Sequence, residues 1–556
     1  MSRILMRLVV LAAVAVLGSG VYIMTVGLPP PLVRHALRPI ERAQGLHIAV
    51  DRLRWRPWNH IEAEGVRLCV AEGSPARVGD LRLDRLVTRV HRSHGRLRVD
   101  GFEASSQAPF LLLTGEGVMA AGGPYRFQIK TDASPDLIAA FLPTNIAPLV
   151  ASLEVSGETW TDVELLQENP DTTNMIVRGT IHATDVTRHG VPADLVHAAF
   201  VYGDAALRVD ELAIVRRDGM VTGQVYYDLA AKHLSVDGRV TAPPVEVARF
   251  IGPALERILA PYRIEGPATI RGTAHVGLRG NPARDVRLHV EGEHLGWRWF
   301  RADRAAFDLR MGERITLIEN LDAQWCGGDV NGHLRFEKPA LTNAPRRCSM
   351  DLIISGANLP SAVEVFRDVE DAEAYEGALS GQLALSADAG SNFWNTATGS
   401  GWLDIQDGYV LSIPLFGGLS KYLSALIPGL GYASQRDLRS SFQIRDGRIA
   451  ASDALLLGRL ITIQVKGSYT FGKDISARVQ VKFLKEGLTA TVTRLLTSPL
   501  TKALEFELTG TPKEPRWRPV NTPDRLLKFF AKQLGSVIPL RNSPNGKIDS
   551  PSESNP

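Results

Sequence analysis

The chain has 556 residues, which is too long for one ordinary hydrophobic core and indicates several packed units. Apolar residues make up 44% and charged residues 22%, values typical of a folded chain rather than a disordered one. The 63 Lys and Arg residues exceed the 60 Asp and Glu residues by only three, which excludes a strongly basic protein, and we expect no nucleic-acid partner. The three cysteines are far apart, so their pattern predicts neither a disulfide framework nor a zinc site.

The first 33 residues predict a membrane anchor. Arg3 and Arg7 precede an uncharged run over 8–33. Its 21 residues before the prolines, 8–28, would form a helix of about 31 Å, enough to cross a hydrocarbon core of about 30 Å. A cleaved signal peptide is the alternative, but its apolar part is usually only about 7 to 15 residues long. We therefore expect an uncleaved transmembrane signal anchor, with residues 1–7 as a cytoplasmic tip and the rest outside the cytoplasm.

The remaining chain alternates between apolar and polar residues, with glycines marking the turns. Residues 268–279, 461–471 and 477–483 are clear examples, because every second side chain is apolar or glycine. This period of two is typical of antiparallel sheet with one face in water. The predicted fold class is therefore mainly β, with short interspersed helices.

An internal repeat organises these strands. A short amphipathic helix, at 135–150, 245–259 and 361–374, precedes a strand, a hairpin and a strand with a phenylalanine. The phenylalanines are followed 23, 25 and 25 residues later by a glycine within a further strand. These pairs are Phe200 with Gly223, Phe307 with Gly332, and Phe442 with Gly467.

The repeat predicts the division of the chain. We expect an N-terminal β segment at 34–135 and three repeats at 136–244, 245–358 and 359–522. An amphipathic helix is predicted at 523–541, and a disordered tail rich in Ser, Asn and Pro at 542–556.

Several runs of residues resemble a known family. Near the start, Leu28-Pro29 and a short helix lead to Gly45-Leu46-His47-Ile48 and a strand containing Trp55. Later, residues 399–410 read GSGWLDIQDGYV and lead to IPLF at 413–416, residues 442–449 read FQIRDGRI, and residues 508–512 read LTGTP. Over nearly its whole length the chain resembles the AsmA-like family, which includes TamB and YhdP relatives, and the later runs are similar to the AsmA C-terminal region.

The resemblance implies a location, a shape and a function. Members of this family are anchored in the inner membrane of diderm bacteria, with the bulk of the chain in the periplasm. The resemblance implies an elongated, curled antiparallel sheet, a repeating β-groove, that carries phospholipid between the inner and outer membranes. The expected partners are phospholipids and membranes, together with outer-membrane or other envelope proteins, and no cofactor is expected.

The residues themselves leave two architectures open. The apolar face of each strand must leave water, since its burial contributes about 25 cal/mol per Å², and the predicted helices are too few to cover every strand. Either stacked β-sandwiches fill one another, or acyl chains fill a curled sheet. The family resemblance favours the groove. Its predicted lining residues are Ile270, Ala274, Val276, Leu278, Val286, Leu288, Val290, Ile461, Ile463, Val465, Val479, Val481 and Phe483.

A basic segment lies close to the predicted anchor. Residues 34–100 contain 14 Arg, no Lys and eight acidic residues, a local net charge of +6. Arg52, Arg54 and Arg56 alternate on one predicted strand, where they would attract anionic headgroups at about 1 kcal/mol each. The alternative is that they form the solvated face of a strand, balanced by neighbouring aspartates.

No motif points to catalysis. The chain has no HExxH or Gly-x-Ser-x-Gly motif, and His91 and His94 lack a nearby third metal ligand, so we expect no catalytic residues and no metal. The predicted function is phospholipid transport. A scaffold for assembly of outer-membrane proteins or envelope biogenesis, using sheet edges to pair with client strands, is the second hypothesis, and an enzyme is the third.

Overall fold

The computed structural model describes residues 19, 22–44, 46–56, 60–70, 81–93, 96–107, 110–118, 125–132, 152–167, 176–278, 284–297, 300–339, 345–366, 376–390, 393–408, 417–426, 435–458, 461–483, 503–512 and 514–520. Strands account for 72% of these residues, and they belong to one large antiparallel sheet accompanied by a few short helices. The predicted mainly β, antiparallel class is thus confirmed. The chain divides into two compact units, unit 1 (Met1–Gly292) and unit 2 (Glu293–Pro556).

In unit 1, most consecutive strands pair antiparallel. The short strands β7 and β14 are bypassed, so that β6 pairs with β8 and β13 with β15, while β7 pairs with β9 and β14 with β16. The helices described in this unit are α1 (Pro30–Gln44), α2 (Pro244–Ile251) and α3 (Pro253–Leu259). The strands are β1 (Leu46–Arg56), β2 (His60–Val70), β3 (Leu81–Ser93), β4 (Arg96–Gln107), β5 (Phe110–Val118), β6 (Tyr125–Thr131), β7 (Glu154–Val155), β8 (Thr159–Gln167), β9 (Ile176–Arg188), β10 (Val191–Gly203), β11 (Ala206–Arg216), β12 (Gly219–Asp228), β13 (His233–Val240), β14 (Tyr262–Ile264), β15 (Ala268–Gly277) and β16 (Arg284–Trp297), which ends beyond the unit boundary.

In unit 2, each strand from β17 to β28 pairs antiparallel with the next. The helices described here are α4 (Leu359–Phe366), α5 (Phe393–Thr396) and α6 (Gly417–Leu426). The strands are β17 (Phe300–Met311), β18 (Ile315–Trp325), β19 (Gly328–Glu337), β20 (Arg346–Asn358), β21 (Ala378–Ala389), β22 (Thr398–Gln406), β23 (Gln435–Arg445), β24 (Arg448–Gly458), β25 (Ile461–Thr470), β26 (Ile475–Phe483), β27 (Ala503–Gly510) and β28 (Pro515–Val520).

A β-bulge recurs in the strand that follows each repeat phenylalanine. The bulges interrupt the pairing of β11 with β12, of β18 with β19 and of β24 with β25. Each bulge is flanked by a residue that pairs with one of the three repeat glycines, and the pairs are Leu212 with Gly223, Leu321 with Gly332, and Ala451 with Gly467. A bulge inserts one extra residue and bends its strand, while the side chains on both sides of it keep the same face.

The helix predicted at 245–259 forms two helices rather than one. Gly252, with φ +145°, separates α2 from α3, and Pro253 begins the second helix. Proline suits the first position of a helix because the backbone N–H it lacks would have no partner inside the helix. The predicted helix at 361–374 begins earlier, at Leu359 in α4, and its part beyond residue 366 lies outside the described residues.

Other predictions fall wholly or mainly outside the described residues. These are the tip at 1–7, most of the anchor at 8–33, the helices at 135–150 and 523–541, and the tail at 542–556. Within the described part of the chain, no helix combines the length and the apolar character that crossing a bilayer requires. The two compact units divide at residue 292, inside a predicted repeat, so the repeat boundaries stay predictions.

Candidate functional site

Four rows of side chains cross seven neighbouring strands of unit 1, namely β9 to β13, β15 and β16. The strand register places successive members of each row directly opposite one another. We call this surface of 28 positions the open face. In strand order, its rows are Ala183, Val196, Ile214, Val221, Val240, Ile270, Val290; then Ile181, Ala198, Leu212, Gly223, Gly238, Gly272, Leu288; then Gly179, Phe200, Val209, Val225, Val236, Ala274, Val286; and then Val177, Tyr202, Leu207, Tyr227, Leu234, Val276, Arg284.

The open face is almost free of charge. Of its 28 residues only Arg284, at one corner, is charged, and the others are apolar, glycine or tyrosine. The opposite face of the same strands is polar, as the row Gln224, Asp237, Thr273 and Arg287 illustrates. The period of two along each strand therefore sorts the residues into one apolar and one polar face.

The third row of the open face continues to the first strand of the unit. Residues that lie directly opposite one another on successive strands continue this row from Gly179 in β9 back to Leu53 in β1. The added positions are all apolar: Leu53, Ala63, Leu86, Ala104, Leu113, Ile129 and Val163. An apolar row thus runs without a charged residue from β1 to β16.

Backbone, rather than side chain, forms part of the floor of the open face. Gly223, Gly238 and Gly272 are direct partners on β12, β13 and β15. A Cβ atom on Gly272 would lie 2.0 Å from the carbonyl oxygen of Arg287, and its φ of +146° disfavours any other residue. Glycine here permits a close approach of neighbouring backbones.

Among the described residues, helix α2 covers one margin of the open face. Phe250 of α2 is 5% exposed and packs with Ala183, Val196 and Ile214 of the first row. Across the whole open face, five residues are buried, 22 are half-buried and Arg284 is exposed. Most residues of the open face therefore keep part of their surface accessible to solvent within the described part of the chain.

A second apolar face, in unit 2, is covered by a helix. We call the corresponding 16 positions on β24 to β27, together with α6, the sealed core. Ten of the 16 positions are buried: Ala454, Leu456, Ile463, Ile475, Ala477, Val479, Val481, Leu504, Phe506 and Leu508. The other six are Ile449, Ala451, Val465, Gly467, Tyr469 and Gly510.

Helix α6 supplies the cover of the sealed core. Its Leu419 and Leu423 are 0% exposed, and the Tyr422 ring lies 5.4 Å from that of Phe506. These contacts exclude water from the strands beneath. The side chains of the protein therefore bury this apolar face without a ligand.

The predicted lining residues fall into these two settings. Ile270, Ala274, Val276, Val286, Leu288 and Val290 all belong to the open face, and Leu278 is half-buried just beyond β15. Ile461, Ile463, Val479 and Val481 are at most 1% exposed and contact protein in and beside the sealed core, with Val465 packed against them. The Phe483 backbone pairs with Ile461, and its side chain lies outside the described residues.

A concavity of about 690 Å³ lies along β18, β19 and β20 in unit 2. It includes Leu321 and Gly332, the bulge pair of that repeat, and the half-buried Ile318 and Leu334. The equivalent pair in unit 1, Leu212 and Gly223, lies in the open face. The lining of this concavity is mixed, because Glu319, Asp322, His333 and Arg335 also belong to it, so it does not repeat the uncharged character of the open face.

The three predicted headgroup-binding arginines lie in cross-strand ion pairs. Arg52 and Arg54 lie 3.5 and 3.1 Å from the carboxylate of Glu64, and Arg56 lies 2.6 Å from that of Glu62. Glu64 and Glu62 are on β2, so the arginines share their charge with the adjacent strand. Their role in binding headgroups stays a prediction.

Glu62 is the central acid of this ladder and was not singled out from the sequence. It is 4% exposed, and Arg85 of β3 donates a hydrogen bond of 2.9 Å to it. Burial raises the pKa of the Glu62 carboxyl, but Arg85 and Arg56 together lower that pKa below its ordinary value. Only the strand register reveals which glutamate meets which arginine.

The thiols of unit 2 are poorly suited to nucleophilic chemistry. Cys326 and Cys348 are both free. Burial, assisted by Asp303 and Glu364, raises the pKa of the Cys326 thiol to about 11, and burial also raises that of Cys348. Thiolate is therefore scarce at neutral pH. Among the described residues, no group of three or more His, Cys, Asp or Glu is placed to hold a metal ion.

Comparison with known proteins assigns no family. No model of a known protein family matches the chain, and no curated protein is significantly similar to it in sequence. The open face and the sequence motifs described above are therefore the features that bear on function.

Proposed function

We propose that this chain is a non-enzymatic protein of the AsmA-like type, anchored in the inner membrane, that carries phospholipid across the periplasm. Acyl chains occupy the open face and are passed between the inner and outer membranes. The observation that carries the proposal is that 27 of the 28 residues of the open face are uncharged, while only five are buried. The family resemblance supports the same function.

The hydrophobic effect explains why the open face needs a ligand. Apolar surface left in water costs about 25 cal/mol per Å², and soluble proteins rarely leave a contiguous patch of this kind uncovered. Acyl chains make the same non-directional contacts as a protein core, so they can replace one. The absence of charge along the row from β1 to β16 would let a chain move without crossing a buried ion.

The dimensions of the open face suit an acyl chain. Six inter-strand steps of about 4.8 Å give about 29 Å across the seven strands. One leaflet of a bilayer core is about 15 Å deep, half of the full thickness of about 30 Å. A lipid tail therefore fits within the open face, along or across the strands.

Bulges and glycines favour the curled shape that a groove requires. Flat sheets do not enclose a channel, and curvature in β-sheets is introduced by bulges and glycine kinks. Both devices occur together at Leu212 and Gly223, and again at the equivalent positions of the two repeats in unit 2. This recurrence supports an elongated, curled sheet as the working architecture.

Native mass spectrometry of the detergent-extracted full chain tests the proposal. We expect phospholipid to copurify with the wild-type protein and with Gln224→Glu, and to be largely lost from Val225→Glu. The two positions are neighbours on β12 with opposite faces, so they form a matched pair. Circular dichroism of both variants checks that the sheet is intact.

Two results would contradict lipid transport. One is a wild-type protein without bound lipid. The other is equal lipid content in Val225→Glu and Gln224→Glu. Crosslinks between sheet edges and outer-membrane barrel proteins, unchanged in Val225→Glu, would instead favour the assembly scaffold.

A further inference from the structure

Arg284 is the single charge on the open face, and its position is specific. It begins β16, pairs with Val276 across β15, and shares its face with Val286 and Leu288. Its side chain is exposed and forms no ion pair with any described residue. An unpaired cation beside an apolar surface is available to an anionic group outside the protein.

Lys232 adds a second cation at the same margin. It lies in the turn between β12 and β13, and its carbonyl oxygen accepts a hydrogen bond of 2.8 Å from the backbone N–H of Leu278. Leu278 comes two residues after Val276, just beyond the end of β15. Strand β13, which follows Lys232, lies two inter-strand steps, about 10 Å, from β16, which begins with Arg284. Both side chains are long enough to reach one anion between them.

The neighbouring acids are occupied elsewhere. Asp285, next to Arg284 in sequence, lies on the opposite face and is paired with Arg287 at 3.1 Å. Asp228, across from His233 in β13, accepts a hydrogen bond of 2.8 Å from the backbone N–H of Ala231. Asp285 and Asp228 alternate with residues of the open face along β16 and β12, so neither carboxylate shares that face with Arg284.

We propose that Arg284, assisted by Lys232, binds the phosphate of a phospholipid headgroup at the margin of the open face. This inference rests on the proposed function and identifies the headgroup phosphate as the part of the lipid that the protein recognises. Guanidinium presents two parallel N–H donors to phosphate oxygens, an arrangement that a lysine alone lacks.

The fourth row of the open face supports a lipid rather than a free anion. The residues that follow Arg284 in this row, strand by strand, are Val276, Leu234, Tyr227 and Leu207. A phosphate held by Arg284 thus places its attached acyl chains on apolar side chains at once. The geometry suits an amphipathic ligand with one charged end.

A competition experiment tests this assignment on the full-length protein in detergent. The protein is offered equimolar phosphatidylglycerol and diacylglycerol with identical acyl chains, and native mass spectrometry measures the ratio of the two bound lipids. We expect Arg284→Gln to lower this ratio about tenfold, because a charge-assisted hydrogen bond is lost while the apolar contacts remain. Arg271→Gln should leave the ratio unchanged, because Arg271 is an exposed arginine on the polar face of β15.

The outcomes separate this inference from the proposed function. Lipid binding with the same ratio in Arg284→Gln and Arg271→Gln would overturn the headgroup site alone. Failure of the wild-type protein to bind either lipid would overturn the proposed function as well. Displacement of phosphatidylglycerol by an equal concentration of inorganic phosphate would identify a free-phosphate site and overturn the lipid assignment.

Discussion

The open face of unit 1 and the sealed core of unit 2 are built from the same kind of alternating strand, but they are completed differently. In the sealed core, α6 places Leu419, Tyr422 and Leu423 over the strands. In the open face, α2 contributes Phe250 at one margin and leaves most apolar side chains half-buried. The strand pattern creates an apolar face, and the nearby helix decides whether protein covers it.

This difference in helix cover gives chemically similar residues different roles in the two regions. Ile463 and Val276 are both aliphatic residues on apolar faces, yet the first is 1% exposed and the second is half-buried. We expect the first to contribute to stability and the second to ligand binding.

Replacing an aliphatic residue by glutamate should reduce stability in the sealed core but lipid binding in the open face. Ile463→Glu places an unpaired charge in the sealed core and should cost about 3–5 kcal/mol of stability. Val276→Glu can direct its carboxylate toward solvent, so it should cost about 1 kcal/mol or less while removing bound phospholipid. Amide hydrogen exchange of β25 and β15 measures the first effect, and native mass spectrometry measures the second.

The contrast fails if Val276→Glu destabilises its region as strongly as Ile463→Glu does. It also fails if Ile463→Glu leaves exchange in β25 unchanged. Either result would show that exposure does not separate the two regions.

The floor of the open face should depend on backbone geometry. Gly272→Ala forces a Cβ against the carbonyl oxygen of Arg287 at a strongly positive φ, and should cost about 2–3 kcal/mol. The matched control is Gly190→Ala, where φ is +75° but no atom lies within 4 Å of the added Cβ. Denaturant unfolding followed by amide exchange in β15 and β16 gives the comparison, and equal losses in the two variants would contradict close backbone contact as the cause.

An ion pair at the margin of the open face should give a small, pH-dependent contribution. Arg216 lies 2.9 Å from Asp218 and also donates to the Pro192 carbonyl oxygen at 2.8 Å. The hydrogen bond from Arg216 lowers the pKa of the Asp218 carboxyl. Its contribution is therefore present at neutral pH and lost as the pH falls below about 4 toward that lowered pKa.

Thermal unfolding of wild type and Asp218→Asn between pH 7 and pH 3 measures this contribution. We expect the wild type to be more stable by about 1 kcal/mol at pH 7, with the difference disappearing at the acidic end. Asp237→Asn, an exposed acid on the polar face of β13, serves as the control. A difference between wild type and Asp218→Asn that persists at pH 3 would contradict the ion-pair explanation.

Much of the fold was accessible from the sequence because strand alternation is local. The period of two around Ile270 and Val276, or around Ile463 and Val479, is visible in one strand and predicts an antiparallel sheet. The repeat also revealed Gly223 and Gly332, although their function opposite bulges required the strand pairing.

Burial and ion pairing depended on distant parts of the chain. Nothing in the sequence of β25 shows that α6 lies against this core, so the alternation predicts the same lining role for Ile463 and Ile270, which the structure places in different settings. The pairing of Arg54 with Glu64 follows from the register of β1 and β2, and the exposure of Arg284 at the corner of four rows follows from six successive strand pairings. Such relations between strands have no local signal.

Site-specific photocrosslinking tests the central claim most directly. A photoreactive phenylalanine analogue replaces Val236 on the open face or its neighbour Asp237 on the polar face, and full-length protein is irradiated in phospholipid vesicles. Our account predicts adducts with the mass of phospholipid at position 236 and few or none at position 237. Adducts at position 236 only to other parts of the protein, or equal lipid labelling at both positions, would contradict the claim that acyl chains cover this face.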